Sequence, residues 1–446
     1  MKKKIFLGLA VLPLFFLGLL AYNIITHKLA DGPPLPEQVA EAFQVTGRLL
    51  APDGDRLLLQ DDQGREWELA RDIVESDPNG YEPEPGCTVQ ADGERVFGQE
   101  RLLSARIIAP PPDLAQALEL VAGLSLEEKV GQMFLARCPA DGAEQALADW
   151  GLAGYILFDR DIAGETPQSL REKLSSYQAA AAIPLLIGVD EEGGTVVRVS
   201  NHTAFRASRF PSPQSLYGQG GLELVLATER EKARLLSDLG FNLNFAPVAD
   251  VSTSAADFIH DRSLGQGAED TAVYVAAVVE ELQAQGVGAV LKHFPGYGDN
   301  GDTHGAVITD PRGAETFRSS DFLPFSAGIT AGAGMVLMSH NITPAFDPYY
   351  PASLSPALHQ LLRQELGFRG LIITDDLVMA GVNDIYGSGE TAVLAVLAGN
   401  DLLLSSDHET QITAVLQAIA AGRVPESLVD AAATRVLRYK LNIGLL

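Results

Sequence analysis

Cysteine is scarce in this 446-residue chain, which has two, Cys87 and Cys138. Two thiols so far apart build no disulfide scaffold, and they exclude a zinc site of clustered cysteines. Positive charge is scarce as well. Lys and Arg total 32 against 58 Asp and Glu, a formal charge of −26, and a surface that acidic repels phosphate backbones, which argues against nucleic-acid binding. No internal repeat or low-complexity tract appears. With 46% hydrophobic and 20% charged residues, the chain reads as folded, with room for two or three domains.

One long hydrophobic run exists. Met1-Lys2-Lys3-Lys4 precede the uncharged, mostly apolar stretch Ile5 to Tyr22, a basic start followed by enough apolar residues to span a bilayer. We expect residues 1–22 to be a signal anchor, or a cleaved signal peptide, and the protein to be exported or held at the outer face of the membrane. Leu20-Ala21-Tyr22-Asn23 is a poor cleavage sequence, and no cysteine follows it to carry a lipid. Residues 23–42, with Gly32-Pro33-Pro34-Leu35-Pro36, are turn-rich and read as a linker.

From 43 to 110 the pattern changes to short alternating runs: Val45–Leu50, Arg56–Leu59, Glu66–Leu69 and Thr88–Ala91. Between them stand Pro52-Asp53-Gly54-Asp55, Asp62-Gln63-Gly64 and Ala91-Asp92-Gly93, sequences suited to hairpin turns. They predict a small antiparallel β domain. Its aromatics Trp67, Tyr81 and Phe97 are read as core, with a sugar- or peptide-binding face as the alternative. Pro110-Pro111-Pro112 then marks a boundary.

Residues 114–446 alternate helical segments with eight apolar runs: 131–136, 154–158, 184–189, 243–248, 287–291, 334–338, 370–374 and 401–404. Near-continuous apolar strands, each followed by a helix, are what a parallel sheet covered on both faces requires. Eight of them predict an α/β fold of the (β/α)8 TIM-barrel type, preceded by the small all-β domain and the N-terminal membrane segment. Such barrels place their chemistry on the loops leaving the C-terminal strand ends. Polar clusters occupy those places: Asp190-Glu191-Glu192-Gly193-Gly194 after strand three, Asp250 and Asp261-Arg262 after strand four, Lys292-His293 after strand five, Ser339-His340-Asn341 after strand six and Asp375-Asp376 after strand seven.

Several of these residue types suit acid/base and nucleophilic work. Asp302 and His304, two residues apart in a glycine-rich loop, allow a carboxylate to orient an imidazole and stabilise its protonated form; a solvated polar loop is the plainer reading. Asp375 ends strand seven, where a nucleophile or base would stand, and Asp376, on the other side of an extended strand, suits a capping or salt-bridging role. Gly193-Gly194 would let backbone approach a ligand. Asp190 with Arg198, Arg262 and Lys292 fits recognition of a polyhydroxylated ligand, although Arg262 with Asp261 also reads as a structural ion pair.

Together these motifs resemble glycoside hydrolase family 3, in particular its single-domain β-N-acetylhexosaminidases. The resemblance runs from about Leu114 to Leu446 and rests on Asp190–Gly194 with Arg198, Asp261-Arg262, Lys292-His293-Phe294-Pro295-Gly296, Asp302-Thr303-His304 and Thr374-Asp375-Asp376-Leu377-Val378-Met379. Tyr297 stands where the family usually has a second histidine, and Thr374 where serine is more usual. The resemblance implies a retaining mechanism: Asp375 forms a glycosyl-enzyme, while His304, paired with Asp302, protonates the leaving oxygen and then activates water. It implies further that Asp190, Arg198, Arg262, Lys292 and His293 bind a terminal N-acetylglucosamine, that no cofactor or metal is needed, and that peptidoglycan fragments or related oligosaccharides are substrates. Open alternatives are phosphorolysis, a β-glucosidase, a metal-dependent hydrolase using His293, His304, His340 and Asp375, and a non-catalytic membrane-anchored sugar sensor.

Overall fold

The computed structural model describes residues 41–50, 57–69, 74–75, 83–96, 99–301 and 308–446. The Ile5–Tyr22 run, the Pro52–Asp55 turn, Tyr81, Phe97, Asp302 and His304 lie outside the described residues. Among the described residues, no helix is long and apolar enough to cross a membrane. The chain divides into two units, 1–112 and 113–446.

The first unit carries a six-stranded sheet, β1 (Glu41–Leu49), β2 (Leu57–Asp61), β3 (Glu66–Leu69), β4 (Val74–Glu75), β5 (Thr88–Val96) and β6 (Gln99–Ala109), in the order β3-β2-β1-β5-β6-β4. All neighbours are antiparallel except β4 and β6. Leu49, Leu59, Leu69, Val89, Ala91 and Ile107 are among the buried residues of its core. Trp67 is half-buried against that core, with its Nε1 donating to Asp61 Oδ2 at 2.9 Å and the Arg65 guanidinium 3.8 Å from its ring centre. One expectation needs correcting. Ala91-Asp92-Gly93 is not a turn but the middle of β5, where Gly93 faces Phe43 across the sheet; a Cβ there would stand 2.6 Å from the Phe43 ring. The glycine marks a close approach and a register shift rather than a reversal. Strand β5 pairs antiparallel with β6, a long strand that the sequence shows only by its closing apolar run, Ile107-Ile108-Ala109.

The second unit is a nearly closed parallel barrel of β7 (Phe134–Arg137), β8 (Gly154–Leu157), β9 (Leu186–Val189), β10 (Leu243–Asn244), β11 (Gly288–Phe294), β12 (Met335–Met338), β13 (Leu371–Thr374) and β14 (Leu403–Ser405). Strand β14 pairs with β7, and a single bridge, Ile373 to Leu402, joins it to β13. Each of the eight expected apolar runs contributes one strand. Helices cover the outside, several of them started by a serine whose hydroxyl accepts a backbone N–H, as Ser212 does from Ser215 and Ser355 from Leu358.

Side chains alternate across these strands. Leu135, Ile156, Leu186, Val290, Leu371 and Ile373 belong to one buried cluster that fills the lumen. The intervening residues, such as Phe134, Ala136, Leu157 and Ile372, belong to the cluster between strands and helices. At the lower end, Val436 joins the lumen cluster, with Tyr439, Ile443 and Leu445 packed against it, so the last helix, Glu426–Asn442, seats its end against the barrel floor. The lumen is a packed core and leaves only its C-terminal rim for chemistry.

Candidate active site

The alternation that fills the lumen also selects what faces its mouth. Two residues beyond Leu135, Ile156, Val290 and Ile373 come Arg137, Phe158, Lys292 and Asp375, and four beyond Leu186 comes Asp190. An even count keeps each on the lumen side, at the C-terminal strand ends.

Lys292 is buried, 3% exposed, between two carboxylates: its Nζ donates to Asp190 Oδ1 at 2.8 Å and meets Glu192 Oε1 at 2.6 Å. Arg262 holds Glu192 with a two-pronged contact, Nε to Oε2 at 3.0 Å and Nη2 to Oε1 at 2.7 Å. The partner of Arg262 is therefore Glu192 on the loop after β9, not Asp261, which is exposed. Burial alone would raise the Glu192 pKa, but the charges and hydrogen bonds of Arg262 and Lys292 outweigh it and hold the carboxyl well below its ordinary value. Burial opposes the charge on Arg262 too, and Glu192 overcomes that, keeping the guanidinium above its ordinary range.

His293 is fixed by both ring nitrogens. Nδ1 lies 2.7 Å from Asp250 Oδ2 and Nε2 lies 3.2 Å from Arg262 Nη2. A guanidinium has only N–H groups to offer, so Nε2 accepts and Nδ1–H donates to the carboxylate, which makes the imidazole neutral. Asp250 also accepts the backbone N–H groups of His293 at 3.1 Å and Tyr297 at 2.8 Å. Tyr297, the departure from the family pattern, is 1% exposed and meets the His293 ring edge-on at 5.0 Å.

Arg198 stands at the border of this group, with Nη2 3.7 Å from Asp190 Oδ2. Its backbone is tied down by Glu191, a fully buried carboxylate that accepts from the N–H groups of Arg198 and Val199 at 2.8 Å each and Ser200 at 3.1 Å. Gly193 and Gly194 take positive φ, 108° and 65°. A Cβ at Gly193 would fall 2.4 Å from the Pro211 carbonyl oxygen, and one at Gly194 would fall 2.8 Å from Ser212 Cβ. Their backbone thus approaches the protein's own chain, where we expected a ligand.

Asp375 follows β13, its backbone N–H donating to the Met338 carbonyl of β12 at 3.0 Å and its Oδ1 accepting from Asp376 N at 2.9 Å. Asp376 makes no salt bridge among the described residues. Its carboxylate accepts from the N–H groups of Val378 and Ser406, each at 3.1 Å, and from the Ser406 hydroxyl, so it joins the loops after β13 and β14. His340 is likewise occupied, Nδ1 at 2.7 Å from Ser353 Oγ and Nε2 at 3.0 Å from the Asp376 carbonyl. Among the described residues no group of three His, Cys, Asp or Glu side chains is arranged to hold a metal ion.

The structure thus joins Asp190, Arg198, Arg262, Lys292 and His293 in one connected group and sets Asp375 on the same rim. It adds Glu192, Asp250 and Glu191, which the sequence motifs contained but whose work was not assigned. Residues 125–439, which contain this group, match a family model, Glycosyl hydrolase family 3 N terminal domain. The chain belongs to glycoside hydrolase family 3. As a family 3 member it is a glycoside hydrolase. A beta-hexosaminidase of Xanthomonas campestris pv. campestris is 36% identical over 281 residues, covering 61% of this chain and 83% of the relative. Among solved structures, a family 3 beta-N-acetylglucosaminidase from Paenibacillus sp. superposes with a TM-score of 0.67 at 34% identity, covering 72% of this chain and 63% of that one. A beta-N-acetylhexosaminidase from Beutenbergia cavernae superposes with a TM-score of 0.64 at 30% identity, covering 71% and 98%.

Proposed function

We propose that this glycoside hydrolase is an exo-acting, retaining β-N-acetylhexosaminidase. What carries the reading is the place of Asp375 on the lumen-facing rim, in a chain similar to curated β-hexosaminidases. A carboxylate there attacks the anomeric carbon of a terminal sugar as the bond to the leaving oxygen breaks, giving a glycosyl-enzyme. His304, with Asp302 as its partner, gives the leaving oxygen its proton in that step. It takes one from water in the second, whose oxygen displaces Asp375. An imidazole titrating near neutral pH can serve in both directions.

The terminal N-acetylglucosamine is held by Asp190, Arg198, Arg262 and Lys292, with His293 fixing Arg262. The alternation of carboxylate and cation among them suits sugar hydroxyls, since Asp190 accepts while the guanidinium and ammonium groups donate. The basic, apolar N-terminus supports export or anchoring at the outer face of the membrane, and peptidoglycan fragments or related oligosaccharides are the substrates we propose.

The test is hydrolysis of an aryl β-N-acetylglucosaminide and an aryl β-glucoside by the full chain, with EDTA and phosphate as separate additions. The N-acetyl substrate should be cleaved in EDTA, without acceleration by phosphate, and activity should fall by at least about 10³-fold in Asp375→Asn and about 10²-fold or more in His304→Ala. A rate that rises with phosphate would make the protein a phosphorylase. Preference for the glucoside would make it a β-glucosidase. Sugar binding without turnover would make it a sensor.

A further inference from the structure

The barrel mouth holds one cation for which the sugar-binding group has no evident use. Arg137 ends β7 and, two residues beyond Leu135, faces the lumen side of the rim. The other cations there are matched: Lys292 by Asp190 and Glu192, Arg262 by Glu192, and Arg198 loosely by Asp190. Arg137 meets no carboxylate among the described residues. Its contact is the ring of Phe158, 4.7 Å from the guanidinium carbon to the ring centre, and its Nε is buried with no hydrogen-bond partner. Arg198 leans on the same ring at 5.6 Å, and its Nε is likewise buried and unpartnered.

Phe158 therefore supports two guanidinium groups at one edge of the site. A guanidinium stays charged at any ordinary pH, and a buried N–H without an acceptor has lost its water with nothing in return. Folding does not require such a pair in a protein with 26 excess negative charges, where carboxylate partners are plentiful. Nε itself is closed to a ligand, but Arg137 is only half-buried and its Nη groups are not among the buried unpartnered atoms; a ligand carboxylate whose two oxygens meet that end of the guanidinium fork neutralises the charge.

We propose that Arg137, carried on Phe158 beside Arg198, binds a carboxylate on the substrate, so that the protein selects glycosides that carry an acidic group. The inference rests on the hexosaminidase reading and narrows its substrate class. Hydroxyl groups accept hydrogen bonds too, but they leave the charge uncompensated; a neutral glycoside gains less from this corner of the site.

The test is titration calorimetry of the full chain with non-hydrolysable thioglycosides of β-N-acetylglucosamine, one with a phenyl and one with a 3-carboxyphenyl aglycone. Wild type binds the carboxylated member about tenfold more tightly, the size of a hydrogen-bonded charge pair, and the preference shrinks in 0.5 M salt, about three times a physiological ionic strength. Arg137→Met brings the ratio to near one. Arg137→Lys keeps the charge without the fork, retains part of the preference, and serves if circular dichroism shows the Met variant unfolded. Equal affinities in wild type, or a preference unchanged in Arg137→Met, overturn the proposal. The same pair built on glucose separates the two readings: carboxylate preference there, with no binding of the N-acetyl pair, retains Arg137 and discards the hexosaminidase. Failure to bind either pair counts against both.

Discussion

At the residue scale, the site depends on one buried carboxylate. Glu192 lies between Arg262 and Lys292, 2% exposed, and both cations would otherwise repel each other in a place with little water. Removing one member of a buried ionic group costs about 3–5 kcal/mol, because its partners remain charged and unpaired. Glu192→Gln should destabilise the protein by about that much in urea denaturation and should lower kcat/KM through displacement of Arg262 and Lys292. The Glu192 carboxyl is depressed from a reference of 4.5, so its contribution is fully present above that reference and is lost as pH falls below it toward the folded-state value. Wild type should therefore lose stability below about pH 4.5 more steeply than Glu192→Gln. A variant with unchanged stability would show that the three groups are not coupled as described. Asp190, Arg198, Arg262, Lys292 and His293 were legible in the sequence because they stand in motifs at strand ends. Glu192 stood in the same motif, but which of five consecutive polar or glycine residues pairs with a cation seventy positions on is a matter of loop geometry. Arg137 was passed over for the opposite reason: Arg137-Cys138-Pro139 resembles no motif. Counting by twos along Phe134-Leu135-Ala136-Arg137 would have shown it facing the lumen.

At the scale of elements, the eight apolar runs were readable because a strand covered on both faces has few polar positions, and each run ended within a few residues of an observed strand. Strand β10 is shorter than its run, Leu243–Val248, although Phe245 N–H still donates to the Val189 carbonyl at 2.9 Å, the Ala246 carbonyl accepts from Val290 N–H at 3.0 Å and Val248 forms an isolated bridge with Lys292. In the β domain, Gly93 mimicked a turn; the facing Phe43 ring and the Arg101 carbonyl oxygen leave no room for a Cβ there. The final helix carries a polar group that sequence patterning would not place inside. Lys440 is fully buried, its Nζ 2.8 Å from Gln132 Oε1, and burial lowers its pKa from 10.5 to about 7. The unfolded chain keeps that amine protonated to about pH 10.5, whereas the folded chain releases the proton above about 7. The unfolded state thus binds more protons between those values, and stability rises with pH across that window. Below pH 7 the protein bears the full cost of a buried ammonium. Lys440→Met should accordingly be more stabilising at pH 6 than at pH 9, by about 2 kcal/mol, as measured by thermal or urea unfolding. An effect independent of pH would mean that Lys440 is charged in the fold throughout. Because the helix closes the floor of the barrel, kcat at 25 °C should be little changed.

At the scale of the whole molecule, the two units have separate hydrophobic cores, and the site described above lies wholly in the second. A chain of residues 113–446 should fold cooperatively and keep kcat/KM for a small aryl substrate within about threefold of the full chain, since domains with their own cores fold as units. Failure of that fragment to fold, or loss of most of its activity on a small substrate, would show that the β domain contributes to the catalytic unit. The excess of acidic residues sets a whole-molecule preference as well. Binding of nucleic acid or other polyanions should be undetectable at physiological salt, while Arg137 and Arg198 provide a local exception for a single carboxylate at the mouth.

In the proposed mechanism Asp375 is the group that carries the sugar. The most direct measurement is peptide mass spectrometry of the full chain after incubation with an activated, fluorinated N-acetylglucosaminyl fluoride, which forms the covalent intermediate faster than water removes it. One glycosyl adduct is expected, on the peptide containing Asp375, and none in Asp375→Asn. An adduct on another residue, or steady hydrolysis of the aryl N-acetylglucosaminide with no adduct at Asp375, would contradict it.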